Sequence, residues 1–142
     1  MKIITRIIAA AALLAAPSLV SADEYCDTVH RLAESLEESS ASLHAEFVDE
    51  LKERDAWRPC GDDKLLYTAL CRFEAAMARV HEAIDDEACV HTVMREMASA
   101  RGWLMRALHS ARHVDLCDCL RGDLSRAARS FSRLEGELGH DH

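Results

Sequence analysis

Residues that break helices are scarce in this chain. It has five glycines and two prolines among 142 residues. The alternation of polar and apolar residues that indicates strands is nearly missing. Alanine, leucine, glutamate and arginine are prominent instead, and these residues favour helices. The composition therefore predicts an all-α protein.

Basic residues are also few relative to acidic ones. The chain has 17 Lys+Arg against 25 Asp+Glu, a formal net charge of −8. Nucleic-acid binding requires a concentrated basic surface, so we expect no nucleic-acid partner. The imbalance lies in residues 23–89, with 18 acids and 7 bases, whereas residues 90–142 have 7 and 8. This uneven charge has two interpretations. The helices of the two halves attract each other, or the acidic half provides a face for a basic protein partner or for cations.

Motifs that identify a reaction are missing as well. The sequence contains no nucleophile elbow, glycine-rich phosphate loop or HExxH zinc motif. It also contains neither a CxxC pair of the kind found in zinc ribbons nor a CxxCH haem motif. We therefore predict that the protein is not an enzyme.

The N-terminus is typical of a secretory signal peptide. Lys2 and Arg6 supply positive charge, residues 7–16 form an uninterrupted apolar run, and residues 20–22 give a small-x-small cleavage pattern. The run is too short to span a bilayer, which needs about 20 apolar residues. The pattern predicts a signal peptide over residues 1–22 and a periplasmic or secreted protein with no membrane span.

Four amphipathic segments follow the predicted cleavage site. Their apolar residues recur every three or four positions, which indicates helices over roughly 23–54, 62–84, 88–113 and 115–138. The short connections predict an up-down-up-down four-helix bundle spanning residues 23–138, with a flexible tail over 139–142 that contains two histidines. Asp62 or Asp63 is the expected N-cap of the second helix. The boundary between helices three and four stays open, because Gly122-Asp123 could be a break.

Six cysteines in a small exported domain predict a disulfide framework. A bridge needs Cα atoms within about 7 Å, so the pairing depends on which end of the bundle each cysteine occupies. The topology predicts a Cys26–Cys89 bridge at one end. Cys60 and Cys71 would then pair with Cys117 and Cys119, in an order left open. The alternative is a Cys60–Cys71 bridge, with Cys117 and Cys119 left for each other or for a metal.

Two histidine clusters are candidate metal sites. One joins His30, His81 and His91 with the thioether of Met94, a combination that suits copper. In the alternatives, Met94 is an ordinary core residue and His81 a hydrogen-bonded interior histidine. The other cluster is His109 and His113, four residues apart on a helix, and Cys117 would extend the same face if the helix continues. Such a face can bind zinc, nickel or copper.

Taken together, these features predict an exported helical-bundle binding protein that binds or buffers a transition metal, copper or zinc. Two alternatives remain open at this level. The first is an acidic interaction or inhibitor module that needs no cofactor and binds a basic partner. The second is a carrier that holds a small apolar ligand in the bundle core. The sequence specifies no oligomeric state.

Overall fold

Four α-helices form the chain in a computed structural model, which describes residues 2–56 and 58–140, with side chains from residue 24 onward. The helices are α1 (Lys2–Glu53), α2 (Gly61–Asp85), α3 (Val90–Ala111) and α4 (Asp118–Gly139). The described ranges contain no strand. The predicted all-α class is confirmed.

The helices pack in the order of the chain around a square. Close backbone contacts join α1 to α2, α2 to α3, α3 to α4 and α4 back to α1, and the α3–α4 contact is the least extensive. Within the described ranges the backbones of the diagonal pairs do not approach each other in this way. Short connections make consecutive helices antiparallel, so the up-down-up-down bundle is confirmed. We call the end with the α2–α3 connection the lower end, and the end with the α1–α2 and α3–α4 connections the upper end.

The apolar stripes form one continuous core. Phe73 of α2 and Phe131 of α4 meet across the centre of the bundle, with ring centroids 6.3 Å apart. Ser40 interrupts the apolar stripe of α1 but is fully buried, and its hydroxyl donates to the Glu37 carbonyl at 2.7 Å. Each fully buried large apolar side chain contributes about 2 kcal/mol. The stripe of α1 buries Val29, Leu36, Leu43, Phe47 and Leu51.

The first helix is longer than the predicted one. It begins at Lys2 rather than near Asp23 and continues through Pro17. The apolar run before Pro17 consists of alanine, leucine and isoleucine, of which alanine and leucine are strong helix formers. Cleavage after Ala22 and export stay predictions. Among the described residues, no helix is both long and apolar enough to cross a membrane.

Three helices begin directly after a cysteine. Cys60, Cys89 and Cys117 are the N-caps of α2, α3 and α4. The Cys117 thiol accepts a hydrogen bond from the backbone N–H of Leu120 at 3.3 Å. Neither acid predicted to cap α2 does so. Asp62 and Asp63 lie in its first turn instead, where their charge still complements the helix dipole.

The boundary between α3 and α4 lies at residues 112–117. Helix α4 runs through Gly122 and Asp123 without a break, which settles the boundary that the sequence left open. The helix includes Gly139 of the predicted tail, and His140 is its C-cap. Asp141 and His142, the other residues of that tail, lie outside the described residues, as does Trp57 in the first connection.

The structure does not form the predicted disulfides. All six cysteines are free, and no two lie at disulfide distance, so neither Cys26–Cys89 nor the bridges from Cys60 and Cys71 to the α4 pair are present. All of them except Cys71 are exposed. The end of the bundle at which a cysteine lies follows from the helix order, but the direction of its side chain does not. Cysteines at one end can therefore face solvent rather than one another.

Helices α1 and α2 end in the same way, with an acidic residue in the left-handed conformation. The Ala88 N–H donates to the Ala83 carbonyl at 2.9 Å, and the Glu87 N–H to the Ile84 carbonyl at 3.1 Å. This is the Schellman arrangement, in which glycine usually occupies the left-handed position. Here Glu87 has φ 51°, and Asp55 at the end of α1 has φ 54°. Both helix ends therefore carry local strain.

Replacing Glu87 with glycine should relieve one of these strained ends. We expect Glu87→Gly to raise the free energy of unfolding by about 1 kcal/mol, because glycine adopts positive φ without a Cβ clash. Glu82→Gly is the matched control, since it removes one acid from an exposed position inside α2. It should lower stability by about 1 kcal/mol. Chemical denaturation measures both changes, and destabilisation by both variants would contradict the strain at Glu87.

Candidate metal centre

Two histidines and an aspartate meet at the lower end of the α1–α2 contact. The donor atoms of His30, His81 and Asp85 all lie within 4.8 Å of one another. His30 Nε2 is 2.5 Å from Asp85 Oδ1, and His81 Nε2 is 3.5 Å from Asp85 Oδ2. The imidazole rings are nearly perpendicular, with centroids 5.6 Å apart. Each oxygen of one carboxylate thus faces the Nε2 atom of a different histidine.

Helix geometry explains why these residues converge. His81 and Asp85 are four residues apart on α2 and therefore share a face. Helix α1 runs antiparallel to α2 and places Glu37 against His81. His30 precedes Glu37 by seven residues, which is about two helical turns. It therefore reaches the last turn of α2, where Asp85 is the final residue.

Glu37 holds His81 from the other side of the ring. The Nδ1 atom of His81 makes a short hydrogen bond to Glu37 Oε2. A carboxylate on one ring nitrogen of a histidine orients the ring and leaves the other nitrogen for a metal. Glu37 therefore has the position of an outer partner of the site, behind the three candidate ligands.

The same contact changes the protonation of His81. The hydrogen bond to Glu37 is the main cause that raises the pKa of His81 above its ordinary value. Burial acts in the opposite direction, and the negative charges of Asp85 and Glu34 add to the rise. A metal ion must displace a proton to bind this ring, so acidification should weaken metal binding.

The three candidate ligands differ in exposure. The His81 side chain is 19% exposed, whereas those of His30 and Asp85 are 48% and 45% exposed. One ligand is therefore held within the helix contact, while two are open to water. Three protein ligands leave at least one coordination position for water or another molecule, which distinguishes open zinc sites from closed structural ones.

The donor atoms suit a borderline divalent ion. Imidazole nitrogen and carboxylate oxygen are ligands that zinc, nickel, iron and copper(II) accept. Ligands at about 2.1 Å from a tetrahedral zinc ion are about 3.4 Å apart, so side-chain movements of about 1 Å would close this group around an ion. The negative end of the α2 dipole and three consecutive acids, Asp85, Asp86 and Glu87, add a potential that favours cations here.

The structure brings together two of the four groups in the first predicted cluster. His91 and Met94 lie on α3, which does not pack against α1. Both residues are exposed, and no hydrogen bond or ion pair of the described residues links either to His30 or His81. The predicted combination of imidazole and thioether is therefore not assembled, and Asp85 occupies the third position instead.

The second predicted cluster consists of two residues rather than three. His109 and His113 are both exposed, with ring centroids 5.3 Å apart. Helix α3 ends at Ala111, so Cys117 does not continue their face. The Cys117 N–H donates to Glu50 Oε1 at 2.9 Å, and a hydrogen bond between the thiol and Glu50 raises the pKa of Cys117. That shift disfavours the thiolate that a metal requires.

Sequence reasoning missed Asp85 and Glu37. The predicted second helix stops at residue 84, although the four-residue spacing from His81 to Asp85 is a signal that both belong to one face of a helix. Glu37 had no local signal, because its contact with His81 depends on how far α1 and α2 slide along each other. An apolar stripe indicates which face of a helix is buried but does not fix that offset.

A second histidine–carboxylate pair lies higher on the same helix contact. His44 Nδ1 of α1 is 2.5 Å from Glu74 Oε2 of α2, and the ring of Tyr67 packs edge-on against His44. His44 Nε2 is buried without a hydrogen-bond partner. Among the described residues no third metal-binding group joins this pair. The pair joins α1 to α2.

Comparison with known proteins assigns no family, since no family model matches the chain and neither a curated protein nor a solved structure is significantly similar to it.

Replacing Glu37 with glutamine should change stability in a pH-dependent way. Because the folded-state pKa of His81 is raised, its contribution is fully present below the unfolded value of about 6.5 and is lost as pH rises through the folded-state pKa. We expect Glu37→Gln to lower the free energy of unfolding by about 1 kcal/mol at pH 5.5 and by less at pH 9. Urea denaturation in the presence of a chelator measures this difference.

Glu38→Gln is the matched control for this experiment. It removes the same charge from the next position of α1, where the side chain is exposed. We expect a small effect that is similar at both pH values. Equal effects of the two variants at pH 5.5, or an unchanged His81 pKa by NMR titration of Glu37→Gln, would contradict the role assigned to Glu37.

Proposed function

We propose that this protein reversibly binds a divalent transition-metal ion, zinc or copper(II), through His30, His81 and Asp85, and acts as an exported metal-binding or metal-buffering protein. The observation that carries the proposal is the convergence of two Nε2 atoms on one carboxylate. The hydrogen bond from His81 to Glu37 supports it, because this contact orients His81 towards the site.

Reversible binding is supported by the position of the site. Structural zinc sites are closed by four protein ligands, and small domains built on them need the ion to fold. This site has three candidate ligands at the edge of a helix contact, and two of them are well exposed. The core of the bundle is continuous without it. The ion therefore fits as cargo rather than as a structural element.

The choice of metal follows from the ligand types. Copper(I) prefers thiolate and thioether ligands, and the site contains neither. Calcium takes six to eight oxygen ligands, whereas two of the three donors here are nitrogen atoms. The signal-peptide pattern of residues 1–22 supports a location outside the cytoplasm, where the protein would meet ions in the periplasm or medium.

Calorimetric titration of the purified chain with zinc tests the proposal directly. We expect one ion per chain, and roughly 100-fold weaker binding in His81→Ala and in Asp85→Asn, because each variant leaves two ligands. His91→Ala and His109→Ala are matched controls that remove exposed histidines outside the group. Equal losses in the controls, or full binding by His81→Ala, would contradict this site. Circular dichroism should show that all four variants stay helical.

The pH dependence of zinc binding provides a second test. Binding by the native chain should weaken from pH 7.5 to pH 5.5, because protons compete for a histidine whose pKa is raised. Glu37→Gln should bind zinc about 10- to 100-fold more weakly at pH 7.5. It should also show a shallower pH dependence, because its His81 loses the proton more readily. Identical pH profiles of the two proteins would argue against Glu37 as the outer partner.

A further inference from the structure

A groove with an apolar floor lies between α2 and α3 at the upper end of the bundle. It has a volume of about 700 Å³, and Leu65, Ala69, Trp103 and Met105 contribute its apolar surface. Leu65 is 60% exposed and Met105 is 59% exposed. These are the two most exposed of the large apolar side chains in the described part of the chain. Exposed apolar residues gathered in one groove mark a binding surface.

The rim of this groove is positively charged, in contrast to the chain as a whole. Lys64 and Arg106 line it from α2 and α3, and His109 lies beside them. The Arg106 guanidinium lies 4.5 Å from the centroid of the Trp103 ring, which holds it at the edge of the floor. Neither Lys64 nor Arg106 forms an ion pair among the described residues. Two unpaired cations thus flank apolar surface on a chain with a net charge of −8.

We propose that this groove binds an acidic amphipathic helix of a partner protein. Its lining residues recur on successive turns of both helices, at steps of three or four with some neighbouring residues included, and those of α3 span about two turns, or roughly 10 Å. A helix of a partner can lie in such a groove when its apolar residues occur at positions i, i+3 or i+4, and i+7. Carboxylates beside that apolar stripe would pair with Lys64 and Arg106, which gives the groove its charge preference.

A second copy of this chain is a poorer occupant. A symmetric dimer places the same patch of both copies face to face, so Lys64 and Arg106 of one copy would meet those of the other. Four cations would then surround the shared apolar surface. The groove is also separate from the proposed metal site, since Leu65 and His81 are about 24 Å apart along α2. Failure of either proposal leaves the other unaffected.

Tryptophan fluorescence can test the groove, because the chain contains two tryptophans and Trp57→Phe leaves Trp103 as the reporter. The probe is a 16-residue helical peptide of leucine, alanine and glutamate, with leucines along one face. The control peptide has lysine in place of each glutamate. We expect a saturable change in Trp103 emission with the acidic peptide, at least about tenfold weaker binding of the lysine peptide, and weakening by salt.

Matched variants locate the binding surface. Met105→Glu should abolish the response, whereas Met94→Glu, which changes an exposed methionine of the same helix outside the groove, should not. Lys64→Glu should reduce affinity for the acidic peptide roughly tenfold. Equal binding of both peptides, equal effects of the two methionine variants, or a response to dodecanoate but not to the acidic peptide would overturn the proposal. So would a Trp103 change that depends on protein concentration alone, since it would indicate self-association.

Discussion

The antiparallel register of α1 against α2 determines where the polar groups of this bundle meet. Two histidine–carboxylate pairs define it: Glu37 with His81, and His44 with Glu74. The two pairs are seven residues apart along each helix. In one pair the carboxylate lies on α1 and the histidine on α2, and in the other pair this order is reversed. After a register shift of one residue, the side chains at the contact would be ones that point about 100° away around the helix axis, and both pairs would be separated. The same register places His30 against the last turn of α2, so the candidate metal centre depends on it.

The spacing of apolar residues was sufficient to predict four helices and their order, because burial of one face is what stabilises each helix. It could not predict the offset between helices, and therefore missed Asp85 and Glu37. The end of α2 was misjudged for a related reason. Three acids at a helix C-terminus oppose the dipole, so the predicted second helix ends at residue 84, before them. The structure extends α2 to Asp85 and closes it with Glu87 in the left-handed conformation.

The predictions for the cysteines and for His109 and His113 show a second limit of sequence reasoning. Topology can place residues at one end of a bundle, but side-chain directions there depend on where each helix stops. His113 and Cys117, four residues apart, would share a face only within a continuous helix, but α3 ends at Ala111. The connection is not helical, so residue spacing across it does not fix the directions of side chains. Cys117 is the N-cap of α4, and its N–H donates to Glu50. For the same reason, Cys117 and Cys119 do not meet Cys60 or Cys71 in a disulfide.

The histidine contact at the lower end also explains how an ion could enter without disturbing the fold. His81 contacts Glu37 through Nδ1 and Asp85 through Nε2, and its raised pKa favours a proton on both nitrogens. A metal ion would replace the proton on Nε2, where the ring faces Asp85 and His30. The hydrogen bond from Nδ1 to Glu37, which joins α2 to α1, would persist. Exchange of a proton for a metal would thus change the charge of the site while the helix register stays fixed.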